Sequence, residues 1–198
     1  VAALLGINPA ARTTCVKPSG NASVLLQTAS GIHAEHSNMY IRNVQMTKDS
    51  EVTQAIQRAN PYMVEDSVWS ATGSDVVGSF PSVPKKGSYV KEELVGVDHL
   101  EKVKLVQEYW VNAGTNEELC ADKGVRHNVS NTILVDDWHK VEEYVFKNRH
   151  SFAGISFLSM MGDKDFNQAP NTSVITAKEM VKNYGTSAIF ASGLVVVG

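Results

Sequence analysis

The spacing of apolar and polar positions along this chain predicts helices and strands in alternation. Helical spacing or helix capping occurs near residues 1–5, 22–29, 50–59, 98–113, 138–148 and 176–183. Strand-like alternation or short apolar runs occur at residues 13–16, 40–45, 76–80, 128–135 and 153–158. Because strands separated by helices typically form parallel βαβ units, the pattern predicts an α/β fold with parallel strands.

Two helices are predicted in enough detail to name their inner faces. The helix from Asp98 to Ala113 carries a stripe at helical spacing, made of Leu100, Val103, Lys104, Val106, Tyr109 and Trp110. Asp136 and Asp137 cap the helix from Trp138 to about Asn148, whose inward residues are Val141, Tyr144 and Val145. A last helix is capped by Thr176 and ended by Gly185. Turn residues dominate between Tyr62 and Gly73, where no element is predicted.

Composition narrows the class of protein. The 198 residues are 43% hydrophobic and 20% charged, with a net charge of -3, which disfavours broad nucleic-acid binding. Two cysteines allow no disulfide framework, so we expect a reducing, cytoplasmic setting. No membrane span or secretory signal is recognisable. The first residue is Val1, and the chain finishes on an apolar run, Leu194 to Gly198, so both ends look cut from a longer protein.

The most informative segment joins a predicted strand to a predicted helix. Thr13 to Val16 reads as a strand, and Asn21 begins a helix after a short loop. A helix start presents unpaired backbone N–H groups and favours negative charge, so this geometry is suited to a phosphate. Gly20 permits close approach to a ligand, and Lys17 adds a point charge. The alternative is an ordinary capped strand-to-helix turn.

Other residues with reactive or metal-binding side chains give weaker patterns. His33, Glu35 and His36 suggest a metal site, but their spacing is not that of the helical HExxH motif. A histidine pair near an anionic ligand, or a solvated turn, is the alternative. Cys15 and Cys120 have no CxxC partner, and both are interpreted as buried structural thiols rather than nucleophiles.

The segment from Arg126 to Thr132 is unusually polar for the start of a strand. Polar groups at a strand end often face a ligand pocket, and a hydrogen-bonded loop is the alternative. Three glycosylation sequons, beginning at Asn21, Asn128 and Asn171, are interpreted as chance matches because no secretion signal is present. The chain has no GxGxxG, GxxxxGK[ST] or GxSxG motif.

Five segments, taken together and in order, resemble one enzyme family. They are Cys15 to Ser23, Ala29 to His33 with Tyr40-Ile41-Arg42, Ala113 to Asn116, Arg126 to Thr132, and Phe152 to Leu158. This ordered set is similar to the adenosylcobalamin-dependent (class II) ribonucleotide reductases. Each motif alone is unspecific, whereas the series extends over nearly the whole chain.

The resemblance implies a fold and a set of ligands. The family's catalytic domain is a ten-stranded α/β barrel made of two five-stranded halves, and residues 1–198 match its C-terminal portion, about half a barrel. The loop at Pro18, Ser19, Gly20, Asn21, Ala22 and Ser23 then holds substrate phosphates, through the backbone N–H groups of Ser19 to Ser23 and the hydroxyls of Ser19 and Ser23. The implied substrate is a ribonucleoside di- or triphosphate, the cofactor adenosylcobalamin, and the reductant of the thioredoxin type.

The same resemblance assigns no catalytic residue and no metal ligand to this chain. The family's thiyl-radical cysteine lies in an Asn-x-Cys-x-Glu motif, which is missing here, as is its reducing cysteine pair. Ser156 and Phe157 stand where class I relatives carry a tyrosine pair for radical transfer. We therefore expect the parent enzyme to reduce ribonucleotides and this piece alone to be inactive. The alternatives are a non-catalytic nucleotide-binding module and an unrelated phosphosugar- or cofactor-binding α/β domain.

Overall fold

A computed structural model describes residues 1–160, 166–172 and 176–184. The helices are α1 (Ala2–Leu5), α2 (Asn21–Leu26), α3 (Glu51–Ala59), α4 (Gly96–Val106), α5 (Trp138–Lys147) and α6 (Ala177–Tyr184). The strands are β1 (Tyr40–Thr47), β2 (Val64–Asp66), β3 (Asp75–Ser82), β4 (Ile133–Val135), β5 (Phe157–Ser159) and β6 (Asn171–Thr172). The described residues divide into two compact units, 1–23, 29–34 and 91–160 in the first, and 24–28, 35–90, 166–172 and 176–184 in the second.

The second unit contains a four-stranded antiparallel sheet in the order β2-β3-β1-β6. Tyr40 pairs with Ser82 and Thr47 with Asp75, so β1 and β3 are matched along their whole length. The prediction of parallel strands is therefore wrong for this sheet. The reason is β2, a three-residue strand hidden among turn residues, which forms a hairpin with β3. That hairpin inserts β3, running in the opposite direction, between β1 and β2.

The first unit contains the parallel pair that the pattern predicts. Ile133 pairs with Phe157 and Val135 with Ser159, and α5 connects the two strands, so β4-α5-β5 is a βαβ unit. Both strands are shorter than the predicted runs at 128–135 and 153–158. Within residues 129–135 the odd-numbered positions are buried, which is the alternation expected of a strand that packs one face on a core.

The predicted strand at Thr13 to Val16 is not formed as a continuous strand. Only isolated bridges are present, antiparallel between Arg12 and Thr115 and parallel between Val16 and Val129. The Thr14 hydroxyl instead donates to the Trp110 carbonyl oxygen at 2.8 Å. Threonine hydroxyls compete in this way with ladder hydrogen bonds, which explains why β propensity alone overestimated this segment.

The core of the first unit lies between α4, α5 and β4. Its fully buried members are Leu100, Val103, Val111, Val129, Ile133, Val135 and Val141. Tyr144 and Val145 pack against this cluster, as predicted. The predicted stripe on the preceding helix is wrong beyond Val106, because Tyr109 and Trp110 are exposed. A π-helix from Gln107 to Asn112 widens the turn there and brings Gln107 and Val111 to the buried face instead.

Two predicted helix caps are confirmed. The Asp137 carboxylate accepts from the backbone N–H groups of His139 at 3.0 Å and Lys140 at 3.3 Å. The N–H of Glu179 donates to the Thr176 hydroxyl, and the Glu179 carboxylate accepts from the Thr176 N–H, which is a capping box. The proposed stop at Gly185 and the apolar run at residues 194–198 lie outside the described residues.

Candidate functional site

The loop predicted to bind phosphate follows a segment that runs parallel to the chain leading into β4. Val16 and Val129 form a parallel bridge, and the Ser130 N–H donates to the Val16 carbonyl oxygen at 2.9 Å. Since β4 and β5 are also parallel, Val16 lies on the third parallel segment of the first unit. The loop therefore leaves the carboxyl end of a parallel segment, which is where α/β sheets bind ligands.

The six predicted binding residues differ in their exposure. Pro18, Gly20, Asn21 and Ala22 are exposed, Ser19 is half-buried and Ser23 is buried. A Cβ atom added at Gly20 would meet no heavy atom within 4 Å, so the space beside this residue is open. The loop thus presents an accessible stretch of backbone at the start of α2.

Hydroxyl groups organise the loop from within. The Ser23 hydroxyl donates to the Ser19 carbonyl oxygen at 2.6 Å and lies 3.1 Å from the Gly20 carbonyl oxygen. The Ser30 hydroxyl donates to the same Ser19 carbonyl oxygen at 2.8 Å. Because a hydroxyl has one hydrogen, Ser23 in this conformation has none left for a ligand.

The turn from Ser30 to His33 packs against the loop. Gly31 has φ +63°, and a Cβ atom there would lie 2.8 Å from the Lys17 carbonyl oxygen. The His33 N–H and its ring Nδ1 both donate to the Ser30 carbonyl oxygen, at 3.1 and 2.9 Å. Sequence reasoning did not assign Ser30 or Gly31 to the site, although both lie in a motif that carries the family resemblance.

His99 on α4 anchors this turn. It is 3% exposed, and its Nε2 donates to the Ile32 carbonyl oxygen at 2.8 Å. Burial lowers the pKa of His99 below its ordinary value, and the hydrogen bond to Ile32 opposes this effect without cancelling it. Nothing in the sequence pattern singles out this histidine, because its partner lies 67 residues away.

His99 predicts a loss of stability in mild acid. Its folded-state pKa is lower than its unfolded value near 6.5, so the unfolded chain binds the proton more readily below that pH. We expect the free energy of unfolding to fall as pH decreases from about 7 through the lowered pKa. His99→Gln keeps a donor and removes the titration. Urea denaturation at several pH values checks this, and an equal pH slope in both proteins would contradict it.

The histidines, the carboxylate and the cysteines named in the sequence analysis do not form a common metal-binding group in the described residues. No group of three or more metal-ligating side chains is found among the described residues. The His36 ring lies tilted against the Tyr40 ring, with 5.4 Å between their centroids, and the Tyr40 hydroxyl donates to the Glu35 carboxylate. Cys120 is buried as predicted. The prediction for Cys15 is wrong, since this thiol is exposed where the strand does not form.

The polar segment from Arg126 to Thr132 is largely a hydrogen-bonded loop. Arg126 pairs with Glu117, and His127 Nδ1 donates to the Thr14 carbonyl oxygen at 3.1 Å. The Asn131 amide donates to the Gly154 carbonyl oxygen and accepts from the Ser156 N–H. Arg126 also lines a cavity of about 380 Å³. The segment is therefore a hydrogen-bonded loop in which one residue borders a pocket.

No helix in the described part of the chain has the length and apolarity needed to cross a membrane.

Comparison with known proteins gives the class to which this arrangement is similar. The architecture is similar to the crystal structure of a B12-dependent (class II) ribonucleotide reductase, with a TM-score of 0.70, 19% identity and coverage of 92% of this chain and 24% of that chain. At this identity the similarity supports the fold, which is α/β. No family model matches the chain.

Two curated relatives agree with that class. The chain is 24% identical over 180 residues to the adenosylcobalamin-dependent ribonucleoside-triphosphate reductase of Levilactobacillus brevis, covering 87% of this chain and 22% of that protein. It is 29% identical over 108 residues to the probable adenosylcobalamin-dependent ribonucleoside-triphosphate reductase of Dictyostelium discoideum, covering 54% of this chain and 14% of that protein. The resemblance seen in the motifs is confirmed, and the chain spans less than a quarter of either relative.

Proposed function

We propose that this chain is the C-terminal portion, about half, of the ten-stranded catalytic barrel of an adenosylcobalamin-dependent ribonucleotide reductase. The carrying observation is the position of residues 18–23, an accessible loop at the carboxyl end of a parallel segment. The proposed portion of the barrel comprises residues 1–198 and therefore includes the antiparallel sheet of the second unit. In the described residues the strands form one four-stranded and one two-stranded sheet, which is less than a closed barrel.

The proposed role of the loop is to hold the phosphates of a ribonucleoside di- or triphosphate. The first N–H groups of a helix have no partner within it, so those of Asn21, Ala22 and Ser23 are suited to an anion. The N–H groups of Ser19 and Gly20 and the Ser19 hydroxyl complete the proposed set. Pro18 has no N–H and contributes shape. The Ser23 hydroxyl, which donates to Ser19, acts in this proposal on the loop rather than on the ligand.

Adenosylcobalamin is proposed as the cofactor of the parent enzyme, because both curated relatives are named adenosylcobalamin-dependent reductases. The cofactor would supply the radical, while the protein orients the substrate. A thioredoxin-type reductant and a cytoplasmic location belong to the same proposal. We assign no catalytic residue to this chain, and Cys15 and Cys120 receive no redox role.

Replacing Gly20 by valine tests the loop. The Cβ space at Gly20 is open, so the protein should tolerate the side chain, but its branches would occupy the volume of a bound phosphate. We expect roughly tenfold weaker nucleotide binding by the complete reductase, with little change in stability. Isothermal titration calorimetry with a ribonucleoside triphosphate measures it. The control is Gly124→Val, which is also at an exposed glycine, and equal affinities in both variants would remove the loop from the site.

The alternative is a nucleotide-binding module without catalysis. It is distinguished by the upstream reading frame, where an Asn-x-Cys-x-Glu motif supports the reductase and its absence from a complete gene contradicts it. An unrelated phosphosugar-binding domain is distinguished by binding. A preference of the full-length protein for sugar phosphates over ribonucleotides would count against the reductase.

A further inference from the structure

We propose that the turn from Ser30 to His33, held by His99, is a positioning element that orients the backbone of the phosphate loop. This inference rests on the proposed function of residues 18–23. It adds residues that act through the loop rather than on the substrate. Within the first unit, α4, the turn and the loop are joined by the hydrogen bonds from His99 to Ile32 and from Ser30 to Ser19, and by the close approach of Gly31 to Lys17.

Two hydroxyl groups set the orientation of the peptide group between Ser19 and Gly20. The Ser19 carbonyl oxygen accepts hydrogen bonds from the hydroxyls of Ser30 and Ser23, at 2.8 and 2.6 Å. In a trans peptide the C=O and the following N–H point in opposite directions. Holding the Ser19 carbonyl toward these hydroxyls therefore turns the Gly20 N–H away from them. Gly20 itself is exposed, and the space around its Cβ position is open.

This orientation matters for an anion. A carbonyl oxygen that faced the ligand would repel a phosphate, whereas an N–H group attracts it. The Ser30 hydroxyl thus selects the peptide orientation that binds. Without it the loop backbone would have to become ordered when the ligand arrives, and the lost conformational entropy would weaken binding.

The turn also packs closely against the segment that leads into the loop. Gly31 adopts φ +63° and brings its backbone against the Lys17 carbonyl oxygen, where a Cβ atom would approach to 2.8 Å. Any side chain at this position would push the turn away from the loop. Because Ser30 precedes Gly31 directly, that displacement would also lengthen the bond from Ser30 to Ser19.

His99 attaches the turn to the core of the first unit. His99 lies on α4 next to Leu100, which is completely buried, and its Nε2 holds the Ile32 carbonyl oxygen at 2.8 Å. The two donor groups of His33 close the turn on the Ser30 carbonyl oxygen. The turn is consequently fixed to the packed helix on one side and to the exposed loop on the other.

The test compares binding of a ribonucleoside triphosphate with binding of the corresponding nucleoside, which lacks phosphates. Ser30→Ala in the complete reductase should weaken triphosphate binding about 3- to 10-fold, as loss of one hydrogen bond allows, and leave nucleoside binding unchanged. KM should rise while kcat changes little. Ser30→Thr, which retains the hydroxyl, should restore triphosphate affinity.

Two controls separate positioning from general stability. Ser151→Ala removes a similar half-buried hydroxyl, which donates to Glu108 away from the loop, and should leave both affinities unchanged. Gly31→Ala should weaken triphosphate binding more than Ser30→Ala does. Gly6→Ala should leave triphosphate binding unchanged, since Gly6 has the same φ of +63° but no heavy atom within 4 Å of an added Cβ.

The outcomes distinguish this inference from the proposed function. If the wild-type protein binds nucleoside and triphosphate equally well, the phosphate loop itself is wrong. If the wild type prefers the triphosphate and Ser30→Ala keeps that preference, the loop stands and the positioning role is overturned. Equal losses in Ser30→Ala and Ser151→Ala would also overturn it, because the effect would then be one of general stability.

Discussion

Replacing Leu100 by alanine is expected to destabilise the protein by about 2–5 kcal/mol. Leu100 has 0% exposure and lies at the centre of the cluster formed by α4, α5 and β4. Its truncation removes buried methyl groups and leaves a cavity that the surrounding valines fill only in part. The midpoint of urea denaturation, with an unchanged slope, measures the loss.

The matched control lies on the same helix. Leu105 is 53% exposed, so Leu105→Ala makes the same chemical change where little apolar surface is buried. We expect a change within about 0.5 kcal/mol. If the two variants lose equal stability, α4 does not pack with the face described above.

Replacing Gly114 by alanine is the second change that we expect to lower the stability of the protein substantially. A Cβ atom there would overlap the Thr14 Oγ1 atom and lie 2.7 Å from the Thr14 Cβ atom, so a small rotation of Thr14 does not relieve the contact. The Thr14 hydroxyl is also committed to the Trp110 carbonyl oxygen. We expect a loss of about 1–3 kcal/mol in the free energy of unfolding, measured by urea denaturation.

A double mutant identifies the cause. Thr14→Ala removes the Oγ1 and Cγ2 atoms that an alanine at position 114 would contact and leaves only the Cβ atom. The double variant should therefore be more stable than the sum of the two single losses predicts. Strictly additive losses would show that the contact between Thr14 and Gly114 is not the source. Gly124→Ala is the control, because its nearest neighbour would be the Asp122 side chain at 3.3 Å.

Sequence patterns predicted the fold where local signals and tertiary packing agree. The cap at Asp137 and the inward face of α5 depend on side chains within one helix and its first turn, and both are confirmed. The stripe on the preceding helix was wrong after Val106, where a π-helix begins and Gln107 is buried, with its side chain hydrogen-bonded to the backbone of His127 and Val129. Helical spacing carries no information about such distant partners.

The candidate site was likewise predicted from the sequence only in part. The order of the motifs, from the loop at Pro18 to the run ending at Leu158, was sufficient to recognise the resemblance to class II ribonucleotide reductases, which the comparisons confirm. The connections that shape the loop were not predictable. The bond from Ser30 to Ser19 spans 11 residues and that from His99 to Ile32 spans 67, and neither has a local signature.

What the sequence alone determined about this protein is most of its helices, two helix caps and the family that its motifs resemble. Caps, apolar periodicity and small-residue loops act over a few residues, so they can be read along the chain. Only the tertiary structure decided the strand directions, the exposure of Cys15 and the contacts that support the loop at residues 18–23. These depend on contacts between residues far apart in the chain, whose free energies are realised only when the core has formed.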